Sequence, residues 1–288
     1  MAEPPAMALG PFGGLWFRSA DREAAFCEDY ARSHFQLVDG VFRPLSLLVA
    51  VAFGWGRVAN DLRDGSLSQR GCAALAVAFV AFALDLHWLA TSPEVRRRRR
   101  TGLALAKRVV VSLLPAVLAP MMFRDPVGGA LSMARFTFMN TGVFSLLAPS
   151  IMCPLLAKHH LALQVPTVAI LVFSTPRLAC TQAMITPQGA QYIVAAWRWL
   201  AALCTGAAIR MPAPEPEECC RDLVVVSLLV VGLWLPSYAV WAVECRARFK
   251  FDPRASRPLT LGTAAVHWML LATGVSCVWS LMHPGAWQ

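Results

Sequence analysis

Along this chain, long apolar runs alternate with short polar or charged breaks. About 20 apolar residues of helix are needed to cross a hydrocarbon core. Runs near that length lie at residues 42–59, 71–90, 103–123, 131–157, 190–209, 223–243 and 261–282. The first is short, and Arg43 near its start reaches the interface by snorkelling. The run at 131–157 is long and carries Pro149 and Pro154, kinks that a membrane bundle tolerates. An eighth run, 161–179, is weaker, because Gln164, Pro166 and Pro176 confine its dense apolar part to 168–173. The breaks differ in character. Residues 60–70 are polar with a turn at Asp64-Gly65, 211–222 are rich in proline and glutamate, and 244–258 are basic.

Residues 1–40 read as a separate N-terminal arm. The apolar stretch 7–17 is short and broken by proline and glycine, unlike a secretory signal. Residues 21–38 place Phe26, Tyr30, Leu37 and Val38 on roughly one side at helical spacing. That pattern suits an amphipathic helix on a membrane surface, with a disordered arm as the alternative. Residues 41–288 read as a single transmembrane helical domain.

Hydropathy alone yields eight spans, and charge bias tests that number. With eight, the basic residues divide 14 on the N-terminal side to 11 on the other. If 161–179 dips in and returns, or lies in the interface, seven spans remain and the split becomes 18 to 7. The expectation is therefore an all-α, polytopic membrane bundle of seven spans, eight being the alternative, with a cytosolic N-terminus.

Composition supports the membrane class. The chain is 57% hydrophobic and 15% charged, against about 25% charged in soluble domains. Its net charge of +9 sits in short loops, with no aromatic-interleaved basic groove, which argues against nucleic acid as a partner. Arg96, Arg97, Arg98, Arg99 and Arg100 form one basic run, and Arg246, Arg248 and Lys250 another beside Phe249 and Phe251. Both suit contact with anionic membrane lipid, although a role as topology determinants alone explains them equally.

Few polar residues fall inside the runs. Arg198, between Trp197 and Trp199, is costly at a bilayer centre. Asp85 and His87 lie late in the second run, and His267 lies inside the last. These four form the candidate intramembrane polar site. Asp85 can pair with Arg198 across the bundle, structural pairing and solute transport being the alternatives for both, and for Arg198 also cation–π packing on its tryptophans or a shifted span that leaves it nearer an interface. His159 and His160 read as solvated interfacial residues, and Asn140, Gln164 and His267 as helix–helix hydrogen-bonding groups. Of nine cysteines, Cys219, Cys220 and Cys245 are juxtamembrane candidates for palmitoylation, with plain thiols as the bland alternative. No nucleophile elbow, dinucleotide or phosphate loop or zinc-protease motif is present. The sequence thus implies no cofactor, metal or catalytic residue. The functional expectation leans to a non-catalytic sensor, scaffold or assembly component. A small-solute or ion transporter using Arg198 and Asp85 stands second, and a lipid-modifying enzyme last.

Overall fold

Helices account for nearly all of the structure, a computed structural model that describes residues 17, 19–63, 69–113, 127–181, 185–206, 212–254 and 259–284. They are α1 (Ala20–Tyr30), α2 (Gln36–Arg63), α3 (Gln69–Ala90), α4 (Pro93–Arg108), α5 (Ala130–Arg135), α6 (Val143–Met152), α7 (Ala157–Ala179), α8 (Pro187–Cys204), α9 (Pro216–Ser227), α10 (Leu235–Phe251) and α11 (Leu261–Met282). Wider π-helical turns join α1 to α2 (Ala31–Phe35) and α9 to α10 (Leu228–Trp234), and extend α4 (Val109–Leu113) and α5 (Phe136–Asn140). Among the described residues there is no strand, only an isolated bridge between Val127 and Ile185.

Local chemistry sets the starts. The Ser19 hydroxyl accepts from Arg22 N–H at 3.4 Å, and Asp21 and Glu23 fill the first turn of α1, where carboxylates favour the helix dipole. Thr186 caps α8 by accepting from Gly189 N–H at 3.0 Å, and Thr260 caps α11 by accepting from Thr263 N–H at 3.1 Å. Proline occupies the first turn of α4, α8 and α9, where its missing N–H costs nothing. Gly142 and Gly206, with φ of 78° and 63°, provide the left-handed residues on which helical segments stop.

Among the described residues, five helices are long and apolar enough to cross a membrane: Ala20–Ala52, Gly71–Ala90, Ala157–Ala179, Pro216–Phe251 and Leu261–Met282. Large apolar side chains point outward along them, with Leu48 67%, Phe173 79% and Leu261 88% exposed. Outward apolar faces of this extent suit a lipid-facing surface.

Several expectations shift. The arm and the first run belong to one continuous helical stretch, so residues 20–40 are helical, and Phe26 and Tyr30 are buried while Leu37 is exposed. The run at 161–179 does not turn back on itself. It lies within the unbroken 23-residue α7, which accommodates both prolines and measures about 34 Å at the usual helical rise. The run at 131–157 is broken instead, at Thr141–Gly142 and again at 153–156. Residues 114–123 of the third run lie outside the described residues.

The chain packs as two units. Unit 1 comprises Met1–Leu118, Ser145–Gln164 and Pro236–Pro258. Its aromatic core joins Phe17, Phe26, Tyr30 and Phe35 to Leu156. Unit 2 comprises Ala119–Phe144, Val165–Leu235 and Leu259–Gln288. A disulfide links Cys180 to Cys220 there, with the Cα atoms 5.8 Å apart. Trp197 Nε1 donates to Asp222 at 2.7 Å, and the Trp197 and Trp279 rings lie 5.4 Å apart.

The start of α8 approaches the Val127 backbone closely. Thr186 donates through its hydroxyl to Val127 O at 2.7 Å, and a Cβ on Gly189 would lie 1.7 Å from that same oxygen. Gly189→Ala must therefore push Val127 away and break this contact. Its melting temperature should fall by several degrees, whereas Gly274→Ala, where a Cβ meets nothing within 4 Å, should leave it unchanged or raised. Thermal unfolding in detergent checks the pair.

Candidate functional site

The chemistry of unit 1 lies in buried charge. Asp85, on α3, has no exposure. Arg43 Nη1, from α2, donates to its Oδ1 at 3.0 Å, and Lys107 Nζ, from α4, donates to both of its oxygens. Lys107 also donates to the Ser46 hydroxyl at 2.8 Å. One turn before Arg43, Asp39 accepts from Arg100 Nε at 2.8 Å and Nη2 at 3.3 Å, and lies 3.6 Å from Arg43 Nε. Two arginines rest on aromatic faces. The Arg43 guanidinium carbon is 4.4 Å from the Trp88 ring centre, and that of Arg100 is 3.4 Å from the Phe35 centre.

Three cations thus share two carboxylates, and the fit is incomplete. Arg43 Nε and Nη2 and Arg100 Nη1 are buried without a hydrogen-bond partner. Burial pulls the Arg100 guanidinium below its ordinary pKa, while Asp39 favours the charged form. Arginine starts so high that the charge persists at neutral pH.

Arg108, on α4, is fully buried beside a second, uncharged set of partners. Its Nη2 donates to Ser150 Oγ at 2.6 Å and Gln164 Oε1 at 3.0 Å, and its Nη1 to His160 Nδ1 at 2.7 Å. Guanidinium only donates, so His160 Nδ1 must accept, which leaves the ring proton on Nε2 to reach Ser237 Oγ at 3.0 Å. A neutral imidazole is the form that this geometry accommodates.

A third network surrounds Arg248 of α10. It donates to both oxygens of Glu23 at 2.7 and 2.9 Å and to Glu244 Oε1 at 2.7 and 2.9 Å. It also lies 4.1 Å from the Phe26 ring centre. The other oxygen of Glu244 accepts the Ala157 N–H at 2.6 Å, satisfying a donor in the first turn of α7.

The residues singled out in the sequence scatter. Asp85 takes Arg43 and Lys107 as partners, not Arg198. Arg198 is exposed on α8, His87 is exposed on α3, and His267 is buried on α11. Of the basic runs, Arg99, Arg246 and Lys250 are exposed and Arg96 half-buried, while the side chains of Arg97 and Arg98 lie outside the described residues. Arg100 and Arg248 do not reach outward, because each is held by buried carboxylates. The cysteines offered for acylation are inaccessible: Cys219 and Cys245 are buried and Cys220 is in the disulfide. His160 is not a solvated interfacial residue, since Arg108 and Ser237 occupy both ring nitrogens. Gln164 makes the expected interhelical hydrogen bond, whereas both side-chain polar atoms of Asn140 are buried without one. Among the described residues, no group of three or more His, Cys, Asp or Glu residues could hold a metal ion.

The buried network itself was missed. Its sequence signal was present in spacing: Asp39 and Arg43 are one helical turn apart, and Arg100 and Lys107 two turns apart, so each pair shares a helix face.

Comparisons with protein families, with curated proteins and with solved structures find no match for this chain. What can be said of its class is that it is all-helical, with several helices of membrane-crossing length and apolarity.

Breaking the Arg248 network tests how it contributes. Arg248→Gln leaves Glu23 and Glu244 without their shared cation and should lose about 3 kcal/mol or more of stability. The exposed control Arg246→Gln should lose less than about 0.5 kcal/mol. Denaturant titration in mixed micelles reads both.

Proposed function

We propose that the chain is a non-catalytic, multi-pass membrane protein of the sensor or scaffold class. In this reading its buried ions set helix packing and do not travel with a solute. The observation that carries it is the sealing of Asp85. That carboxylate has no exposure, and Lys107 and Arg43 occupy its oxygens. A proton or cation site in a transporter needs access to water and an exchangeable partner, while Arg198, the other half of the transport expectation, is exposed.

The same proposal takes seven spans, with the N-terminus cytosolic. Cys180 follows the C-terminus of α7, and Cys220 lies near the start of α9. A disulfide between them favours an oxidising compartment for both. Ala157 and Lys158 begin α7, a membrane thickness away, with the basic end of α10 bonded to Ala157 through Glu244. These basic residues then face the cytosol, as the positive-inside rule prefers. In this arrangement α7 crosses, and the unbroken α8 lies along the interface on the oxidising side. Relative to the 18-to-7 split, only Arg177 changes sides, leaving 17 to 8.

Two measurements test these readings. Reconstituted in liposomes, the protein should give no flux of protons or small anions above empty vesicles. Asp85→Asn should lose about 3–5 kcal/mol of stability, with much of it recovered in Asp85→Asn/Lys107→Met. Flux that Asp85→Asn abolishes in a folded protein would sink the sensor reading in favour of a transporter. Separately, a reporter fused after Gln288 should read non-cytosolic, and peptide mapping without reductant should recover Cys180 joined to Cys220. A cytosolic reporter would return the count to eight.

A further inference from the structure

Beside the Asp39–Arg100 pair, unit 1 holds a cavity of about 660 Å3 whose lining includes Gln36, Gly40, Trp88 and Arg96. That volume falls within the range of small-molecule sites. Three arginines line it, Arg32, Arg96 and Arg100, with the acidic residues Asp39 and Glu94. Asp39 is already committed, both of its oxygens accepting from Arg100. Arg32 shares its charge with Glu28 at 2.5 Å, and among the described residues Arg96 is hydrogen-bonded through its Nε, to Thr91 O at 3.1 Å. Arg100 keeps Nη1 without a partner. Trp88 and Leu89 supply an apolar side to the same space. Above Gly40 there is room, since a Cβ there would meet nothing within 4 Å.

Guanidinium groups beside an apolar wall recognise a phosphate carried on a small organic body, because the planar fork bonds two phosphate oxygens at once. We infer that this cavity binds a phosphomonoester of headgroup size, either at the end of a lipid or as its soluble counterpart. The inference rests on the sensor reading, for which it names the ligand. The link to the network is direct. Arg100 both lines the cavity and holds Asp39, so an anion that draws on Arg100 competes with a contact that orders α2 against α4.

The test uses the full chain in phosphatidylcholine bilayer discs, read by thermal shift and by direct binding. One arm adds phosphatidic acid to the discs, with phosphatidylglycerol, a phosphodiester of the same leaflet, as its control. The other adds glycerol 3-phosphate or inorganic phosphate to plain phosphatidylcholine discs. Binding in the first arm alone assigns the ligand to lipid, and binding in the second assigns it to a soluble phosphate. In either case Arg96→Gln should weaken binding about tenfold to a hundredfold, the usual worth of a charge-assisted hydrogen bond. Gly40→Leu, which fills the open space, should abolish it without lowering the stability of the free protein. Absence of binding in both arms overturns the proposal. So does an equal response to phosphatidylglycerol that neither variant alters, because it would mean surface charge alone. Solute flux in the liposome experiment would remove the sensor reading and leave a positive binding result standing, so the two failures are distinguishable.

Discussion

Asp85 is the residue on which the packing of α2, α3 and α4 turns. A carboxylate with no exposure needs its charge offset and its oxygens bonded inside the protein, and here Lys107 and Arg43 arrive from opposite neighbours in sequence. The consequence spreads outward. Arg43, fixed on Asp85, also approaches Asp39, whose own oxygens fix Arg100. Each helix thereby carries a charge whose partner lies on another helix. Sliding any one of them by a turn would strand buried ions, at several kcal/mol apiece. In a lipid surrounding, where apolar contact between helices offers little preference over contact with lipid, such a network specifies register in a way that leucines do not.

The lysine and the arginines are not interchangeable within it. Lys107 is a compact charge that fits against both carboxylate oxygens and the Ser46 hydroxyl. Arg43 and Arg100 bring planar groups that bond at their edges and stack on Trp88 and Phe35. The stacking explains how these arginines are tolerated with unbonded nitrogens. Ring faces replace part of the water each guanidinium lost, and of the edge atoms left over, Nη1 belongs to Arg100, which lines the cavity.

Much of the fold was legible from hydropathy because helices of this class announce themselves by length. The second and last runs coincide with α3 and α11 to within a residue or two at each end. The misjudged segments fail for physical reasons. Pro166 and Pro176 made 161–179 look interrupted, yet α7 absorbs both. The long run at 131–157 looked continuous because Gly142 is small and apolar, although its positive φ ends the helical path. The site was much less legible. Asp39, Arg100, Lys107 and Arg108 sit near the ends of apolar runs, where charges usually face water. Only the pairing of several helices turns them inward, and pairing between distant segments is what a single sequence does not display. Asp85 stood out because it lay inside a run, but its partner Arg43 reads from the sequence as reaching the interface.

Arg108 shows a second solution to the same problem. It has no carboxylate among its hydrogen-bond partners and relies on a serine, a glutamine and a histidine. Neutral dipoles stabilise a cation less than an anion does, but they also avoid the desolvation of a second ion. The arrangement works only while His160 keeps Nδ1 free to accept, since a second proton on that ring would set two positive charges 2.7 Å apart. Ser237 on α10 holds the ring in that state by accepting from Nε2. Four segments, α4, α6, α7 and α10, therefore depend on one tautomer. Replacing Ser237 with alanine removes no charge, yet it frees the ring to turn and deprives Arg108 of its acceptor.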